Sequence, residues 1–264
     1  MDEVATGTTA DPTTLPRLFR DRVGTSPDDV AYRHPVGRRG REAWEDVTWS
    51  HAHALVEPLA AGLVGLGVEP GDRVAILSRT RIDWVLGHLA VLCAGATTVA
   101  VPPASPPEEV ARLVDGSGAV VVVAEDLDQV ETLRRVRGDI RTVRKVVLVD
   151  GHHPDRRVMT FEALLSQGEA VLDRDPSTIT RRIDGLSPDA LATVLHPQHD
   201  DATPDGERCT HAAWVQDGGA IDGAAEGLRH LSAPLERREG HLLLAAQLVH
   251  GFGVCVDARE VRGE

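Results

Sequence analysis

The sequence predicts an α/β protein in which helices flank a mainly parallel sheet. Short runs rich in valine and alanine alternate along the chain with longer segments whose apolar residues follow the helical period. One such run, Ala119 to Ala124, contains four consecutive valines, which is typical of a strand covered on both faces. Because helices and strands alternate, successive strands are expected to lie parallel in one sheet.

Proline and glycine separate the first predicted elements. Ser50 can cap a helix that runs up to Gly67, which provides a left-handed stop. The pair Pro106 and Pro107 starts another helix at Glu108. In chain order we expect a helix at 50–66, a strand at 73–77, a helix at 82–94, a strand at 97–101, a helix from 108, a strand at 119–124, a helix at 127–137 and a strand at 145–149.

The chain divides into two predicted α/β subdomains. Residues 1–13 are polar and are expected to be disordered, residues 14–186 to form the first subdomain, and residues 187–264 to form part of a second one. A charged helical linker at 168–187 is expected to join them. The second part predicts a strand at 191–195, a helix near 212–231 and a last strand at 242–248. Pro58, inside the first long helix, costs about 3 kcal/mol unless that helix kinks.

Charge and composition exclude several function classes. The net charge of −13 argues against nucleic acid or an anionic membrane as a partner, because both require a basic surface. The longest apolar stretch, Val85 to Val101, is interrupted by His88 and by glycines, so no membrane span is expected. Three cysteines without a spacing motif indicate reduced thiols, and no signal-peptide pattern opens the chain. We therefore expect a cytoplasmic protein.

One segment gives the strongest indication of function. The strand Leu191 to Leu195 leads into a loop that contains Pro204 and Gly206, and the pair Thr210 and His211 follows. These residues resemble, without a gap, the signature loop of the adenylate-forming (AMP-binding) enzymes, closest to the long-chain fatty acid–CoA ligases. In that family a strand precedes Thr-Ser-Gly-Thr-Thr-Gly-x-Pro-Lys-Gly and then Thr-His. Further similarity lies at 15–19, 44–49, 67–80, 94–96, 117–119 and 250–253.

The resemblance implies a fold and a reaction. The fold would be the first subdomain of the family's large N-terminal domain, followed by an incomplete second α/β subdomain. The family uses ATP and Mg²⁺ to convert a carboxylate to an acyl-adenylate, then transfers the acyl group to coenzyme A. His250, Gly251, Phe252 and Gly253 resemble the segment that helps to line the acyl pocket. Family members are much longer, so a truncated relative without the later nucleotide-binding motifs and the catalytic lysine is expected.

The loop departs from the family at almost every phosphate-binding position. The loop runs from His196 to the retained Gly206. The two glycines of the motif are replaced by His199 and Ala202, and the paired threonines are replaced by Asp200 and Asp201. Pro197 and Gln198 replace the leading Thr-Ser pair, and Asp205 replaces the lysine. A phosphate cradle requires glycines that let backbone N–H groups face the anion, together with hydroxyl groups and a lysine. Donors have become acceptors, so we predict no ATP binding, no cofactor and no catalytic residue.

Three groups of residues allow more than one interpretation. His196, His199, Cys209 and His211, with Asp200 and Asp201, could form a metal site, but Pro197 rules out a helical histidine pair and no Cys-x-x-Cys accompanies them. A solvated polar loop is favoured, and no metal is predicted. His250 either lines an acyl pocket or begins a helix. The basic cluster Arg134, Arg135, Arg137, Arg141, Arg144 and Lys145 could bind an anion, although a solvated helix face and loop is favoured.

Three functional hypotheses follow. The first is a non-catalytic pseudoenzyme or scaffold that acts through protein contact. The second is a module that binds an acyl group or another small molecule. The third is a half-enzyme that works with a partner chain, because a truncated sheet would leave an edge for a protein partner or a second copy to cover.

Overall fold

The computed structural model describes residues 13–36, 43–196, 206–219, 229–232, 244, 246–250 and 254–257. The helices are α1 (Leu15–Thr25), α2 (Trp49–Gly65), α3 (Ile82–Cys93), α4 (Pro107–Ser117), α5 (Leu127–Arg135), α6 (Phe161–Arg174), α7 (Thr178–Asp184) and α8 (His211–Gly219). The strands are β1 (Val30–Val36), β2 (Ala43–Thr48), β3 (Arg73–Leu77), β4 (Thr97–Val101), β5 (Ala119–Ala124), β6 (Lys145–Leu148), β7 (Val158–Thr160), β8 (Leu191–Leu195), β9 (Glu207–Thr210), β10 (Arg229–Ser232) and β11 (Val254–Asp257).

A seven-stranded sheet in the order β7-β6-β5-β3-β4-β8-β9 forms the centre of the fold. All its neighbouring strands are parallel except β8 and β9, which are antiparallel. Alternate residues of β3 enter two hydrophobic clusters: Val74 and Ile76 pack with α2 and α3, whereas Ala75 and Leu77 pack with α4 and α5. The sheet is therefore covered on both faces, which confirms the predicted α/β class and explains the uninterrupted valines of β5.

A second sheet, in the order β10-β11-β1-β2, combines strands from both ends of the described chain. β11 lies parallel to β1 and to β10, and β1 and β2 form an antiparallel pair. Two predictions for this region were wrong. The helix predicted near 212–231 does not include residues 229–231, which belong to β10, and the strand predicted at 242–248 is helical at 246–248. A short apolar run fits either state, and here the helical turn buries Leu244 and Leu248 together in the core.

Most other predicted elements are confirmed, with two corrections of detail. The strands at 73–77, 97–101, 119–124 and 191–195 have the expected bounds. Helix α2 begins at Trp49, because Thr48 is its N-cap and its Oγ1 accepts a hydrogen bond of 3.2 Å from His51 N, where Ser50 was expected. The segment 168–187 is helical as predicted, since it contains the end of α6 and all of α7, but Ile179 and Ile183 pack in the core, so it is more than a linker.

Helix α6 crosses α2 at a distance that only glycine permits. An added Cβ at Gly168 would overlap the carbonyl oxygen of Pro58 and would lie 2.8 Å from Gly62 N. An added Cβ at Gly62 would in turn overlap the carbonyl oxygen of Leu164. Pro58 is buried within a continuous α2, at the point where the two helices come closest. The charged segment is therefore anchored to the core through its backbone.

Strands from both sides of the predicted boundary at 186/187 belong to the seven-stranded sheet, because β8 pairs with β4. The division into subdomains stays a prediction. The edges of this sheet within the described residues are β7, of three residues, and β9, of four. Among the helices that the structure describes, none combines the length and the apolar character needed to span a bilayer.

Candidate functional site

The candidate site lies at the carboxyl edge of the seven-stranded sheet. β3, β4, β5, β6 and β8 run parallel, so the residues that follow them share this edge. They include Ser78 and Arg79 after β3, Glu125 after β5 and His196 after β8. Ligands of open α/β sheets bind at this edge, and the loop at 196–206 begins here.

His196 and Gly206 form the base of the loop. β8 and β9 pair in antiparallel register up to Leu195 and Glu207, so the two residues stand directly beyond the last pair. Gly206 has a φ of +72°, and an added Cβ would lie 2.8 Å from His196 Cε1 and 2.9 Å from Leu195 O. The imidazole therefore packs on the glycine. The loop residues Pro197, Gln198, His199, Asp200, Asp201, Ala202 and Asp205 lie outside the described residues.

We expect a Gly206→Ala variant to lose about 2–5 kcal/mol of unfolding free energy. Left-handed backbone costs an L-residue about 1–2 kcal/mol, and overpacking against the ring and the carbonyl adds about 1–3 kcal/mol. Gly118→Ala is the matched control, because Gly118 has a φ of +68° and nothing within 4 Å of an added Cβ. Equal losses in urea unfolding would contradict the packing of His196 on Gly206.

His196 brings no positive charge to this edge at neutral pH. Its side chain is 8% exposed, and its Nε2 has no hydrogen-bond partner among the described residues. Burial lowers the pKa of the imidazole, and the positive charge of Arg112 lowers it further. A neutral ring cannot offset the charge of a phosphate.

At the N-terminus of α8, directly after β9, the first three backbone N–H groups are hydrogen-bonded to protein oxygens. His211 N donates to Ala190 O over 3.1 Å and Ala212 N to Pro188 O over 2.8 Å. Ala213 N donates to Thr210 Oγ1 over 3.2 Å, so Thr210 is the N-cap. Free N–H groups at a helix start bind phosphate readily, but here these three donors face protein acceptors.

His211 is fully buried and neutral. Neither ring nitrogen has a hydrogen-bond partner in the described part of the chain, and burial lowers its pKa to about 4. Between pH 6.5 and pH 4 the imidazole is protonated in the unfolded chain, where its pKa is about 6.5, but stays neutral in the folded protein. The unfolding free energy is therefore highest above pH 6.5 and falls as the pH drops toward 4.

We expect His211 to lower the unfolding free energy by about 2 kcal/mol between pH 7.5 and pH 5. A His211→Leu variant should lose this part of the pH dependence, measured by urea unfolding at both pH values. His152→Leu, which removes an exposed imidazole, controls for the change of residue type. A slope unchanged from that of the unmodified protein would show that His211 does not titrate as described.

The metal interpretation gains no support from the described residues. Cys209 Sγ lies 3.8 Å from Glu207 Oε1, and no cluster of three or more His, Cys, Asp or Glu side chains suited to a metal occurs in the described part of the chain. His199, Asp200 and Asp201 lie outside it.

A network of charged side chains at the same edge was not anticipated from the sequence. Glu125 is 1% exposed; its Oε2 accepts a 2.8 Å hydrogen bond from Arg79 N, and its Oε1 accepts bonds from the Arg79 guanidinium, with Nε at 2.9 Å. Arg81 Nη1 lies 3.7 Å from the same oxygen. Arg81 also pairs with Asp83 and Asp150. The signal was present, since Arg79 and Glu125 closely follow β3 and β5.

The pKa of Glu125 is subject to opposing effects. Burial raises it, but the hydrogen bonds from Arg79 and the charges of Arg79 and Arg81 lower it by more, and the net pKa is below the ordinary value. The carboxylate is therefore ionised at neutral pH although it is buried.

This network forms one wall of a cavity of about 420 Å³. The other wall comes from the second sheet, and the lining residues are His34, Pro35, Val36, Arg79, Arg81, Ile82, Asp83, Glu125 and Val256. Cations, carboxylates and apolar atoms all face the space, so it suits a small polar molecule.

His250 lies at the end of the helical turn 246–250 and is exposed. Its Nε2 lies 3.2 Å from Gly218 O, and His250 does not line the 420 Å³ cavity. Gly251, Phe252 and Gly253 lie outside the described residues, so the acyl pocket stays a prediction.

The sequence pattern of the family described as AMP-binding enzyme matches residues 19–200. Long-chain-fatty-acid–CoA ligase FadD15 of Mycobacterium tuberculosis is 30% identical over 85% of this chain and 34% of its own length. The uncharacterized protein Rv1549 of the same organism is 34% identical over 56% of this chain and 79% of its own. The chain thus spans about a third of the length of the ligase it matches.

Solved structures show the same fold. A putative long-chain-fatty-acid CoA ligase from Rhodopseudomonas palustris aligns with a TM-score of 0.73 at 20% identity, over 94% of this chain and 58% of that one. FadD1, a long-chain-fatty-acid–CoA ligase from Archaeoglobus fulgidus, aligns with a TM-score of 0.75 at 16% identity, over 94% of this chain and 48% of that one.

Proposed function

We propose that this chain, which belongs to the family of AMP-binding enzymes, does not adenylate a carboxylate substrate. It acts instead as a non-catalytic pseudoenzyme that binds a partner or ligand. The relative named a long-chain-fatty-acid–CoA ligase suggests the reaction that has been lost, the joining of a fatty acid to ATP and then to coenzyme A. On this proposal the chain uses none of ATP, Mg²⁺ and coenzyme A. We also propose a cytoplasmic location, on the ground that Cys93 is a buried free thiol.

The composition of the loop at 196–206 carries the proposal. Asp200, Asp201 and Asp205 stand at sequence positions that correspond to triphosphate-binding residues of the family, and two glycines, the hydroxyl groups and the lysine are replaced at the same time. Like charges about 4 Å apart repel by about 1 kcal/mol in water and by several times more in a partly closed site. Together with the lost donors, this repulsion would remove most of a micromolar affinity, which is worth about 8 kcal/mol.

The surroundings of the loop support the same conclusion. His196 at its base is neutral, and the first three N–H groups of α8 are bonded to protein oxygens. The described residues at this position therefore offer no replacement for the donors that the substitutions remove.

Nucleotide binding tests the proposal directly. In calorimetry with ATP and Mg²⁺ we expect no saturable heat up to millimolar nucleotide, and no fatty-acid-dependent exchange of pyrophosphate into ATP. Saturable binding in the micromolar range, or detectable exchange, would contradict the proposal.

A small-molecule binding module is the second candidate, and the 420 Å³ cavity favours it. Arg79 and Arg81 provide donors and Asp83 an acceptor on a wall fixed by the buried Glu125. Native mass spectrometry of freshly purified protein should then show a retained small polar molecule. A bare chain in every preparation would count against this candidate.

A further inference from the structure

Basic side chains from separate segments converge on the amino edge of the seven-stranded sheet, opposite the loop at 196–206. β6 starts at Lys145 and β7 at Val158, so the residues at these positions share that edge. A depression here, called the basic depression below, has a rim of five cations: Arg134, Arg137, Arg144, Lys145 and Arg157. Among the described lining residues Asp155 is the one carboxylate, so the lining carries a charge of +4 in a chain of net charge −13.

Three of the five rim cations have carboxylate partners: Arg134 lies 2.8 Å from Glu131, Arg144 lies 3.4 Å from Asp72, and Arg137 lies 3.7 Å from Asp155. Lys145 Nζ donates to a backbone oxygen, that of Arg156, over 2.8 Å. Among the described residues, no carboxylate lies within 4.0 Å of the charged groups of Lys145 and Arg157. These charges are available to an external anion.

Apolar side chains form the floor of the basic depression. The floor encloses a space of about 50 Å³, enough for the end of one aliphatic side chain. It is lined by Leu133 of α5, by Val158 of β7 and by Val143, which precedes β6. An ordinary solvated helix face would place its cations around polar atoms or bulk water. Cations around an accessible apolar floor match a ligand that carries both carboxylates and an aliphatic group.

We propose that the basic depression docks a short acidic segment of a partner protein, with one aliphatic side chain on the floor and carboxylates on the rim. At physiological salt, interactions between charges more than about 8 Å apart are largely screened. The binding of a short segment therefore depends on the local positive charge more than on the negative charge of the whole chain. A nucleic acid or an anionic membrane would extend over the acidic remainder of the surface. Among the described residues that line the basic depression, none is an aromatic that could stack on a base.

This site goes beyond the proposed loss of adenylation and does not depend on it, because it lies at the opposite edge of the sheet. The sequence favoured a solvated surface for the cluster at 134–145. Folding alters that view, since it adds Arg157 from a separate segment and exposes an apolar floor between the cations.

Fluorescence anisotropy with the labelled peptide Glu-Asp-Glu-Leu-Asp-Glu-Asp tests the proposal on the full chain. We expect saturable binding that weakens at least tenfold in Lys145→Gln/Arg157→Gln and at least threefold when serine replaces the leucine of the peptide. The control Arg112→Gln/Arg174→Gln removes two cations away from the site and should bind within twofold of the unmodified protein. Thermal unfolding verifies that each variant is folded.

Four results would overturn the proposal. They are the absence of saturable binding up to 1 mM peptide, an equal loss in the control variant, an equal affinity for the serine peptide, and tighter binding of a single-stranded DNA oligonucleotide or of phosphatidylserine vesicles than of the peptide. An ATP-binding result of either sign leaves these outcomes unaffected, so the two proposals fail separately.

Discussion

A Gly168→Ala variant is expected to lose at least about 3 kcal/mol of unfolding free energy, which corresponds to roughly 6–12 °C in Tm. The added methyl group would overlap the carbonyl oxygen of Pro58 and would lie 2.6 Å from its carbonyl carbon. Backbone atoms cannot rotate away as a flexible side chain can, so α2 and α6 would have to separate. Separation opens the cluster around Leu59 and Leu164.

Gly116→Ala provides the matched control in α4. Nothing lies within 4 Å of an added Cβ at that position, so the higher helix propensity of alanine should stabilise the protein slightly, by up to about 1 kcal/mol. Thermal and urea unfolding of the two variants measure the difference. A loss at Gly168 no greater than about 1 kcal/mol would show that the two helices do not meet as closely as described.

An Arg79→Ala variant is expected to destabilise the protein by about 3 kcal/mol at pH 7, because it removes the main partner of a buried carboxylate. Glu125 would keep the backbone N–H at position 79, the Ser78 hydroxyl at 3.4 Å and Arg81 at 3.7 Å. The pKa of Glu125 is lowered in the folded protein, so its stabilising effect is present above its unfolded pKa of about 4.3 and is lost as the pH falls through the folded pKa. The deficit of the variant should therefore shrink toward pH 3.

Arg134→Ala is the control for the loss of an arginine from an ion pair. Arg134 and Glu131 lie 2.8 Å apart with side chains 54% and 49% exposed, and such pairs contribute about 0–1 kcal/mol. Urea unfolding at pH 7 and at about pH 3 compares the two variants. Equal losses, or an Arg79→Ala deficit that grows on acidification, would contradict the role assigned to Glu125.

The sequence predicted β3, β4, β5, β6 and β8 of the central sheet, because each is a short apolar run bounded by turn residues, but it did not predict the short edge strands β7 and β9. Ala119–Ala124 is the clearest case, since a run of β-branched valines is typical of a strand covered on both sides. The strand predicted at 242–248 was wrong at 246–248, which are helical, because a short apolar run fits either state and contacts distant in sequence decide between them. Arg22 Nε donates to Leu248 O over 2.9 Å, and Gln247 Nε2 donates to Ala31 O over 2.7 Å.

The candidate site was predictable in part. The loop at 196–206 could be located from a linear motif, whereas the Glu125 network depends on the sheet order that brings the ends of β3 and β5 together. Likewise, the charged composition of 168–187 indicated a helical linker, and only the crossing at Gly168 and Pro58 shows that this segment packs against α2. Charge patterns describe the exposed face of a helix and say little about the buried one.

Transfer of the loop into an active relative tests the central claim most directly, because it separates the effect of the loop from the length of the chain. The measurement is fatty-acid-dependent exchange of pyrophosphate into ATP by the Mycobacterium tuberculosis ligase FadD15 carrying residues 196–206 of this chain in place of its own loop. A second graft that transfers only residues 191–195 and 207–211 serves as the control. We expect the loop graft to reduce exchange at least about 1,000-fold, the equivalent of about 4 kcal/mol, and the control graft to stay within tenfold. Exchange retained by the loop graft at the level of the control would contradict the claim that these substitutions abolish phosphate binding.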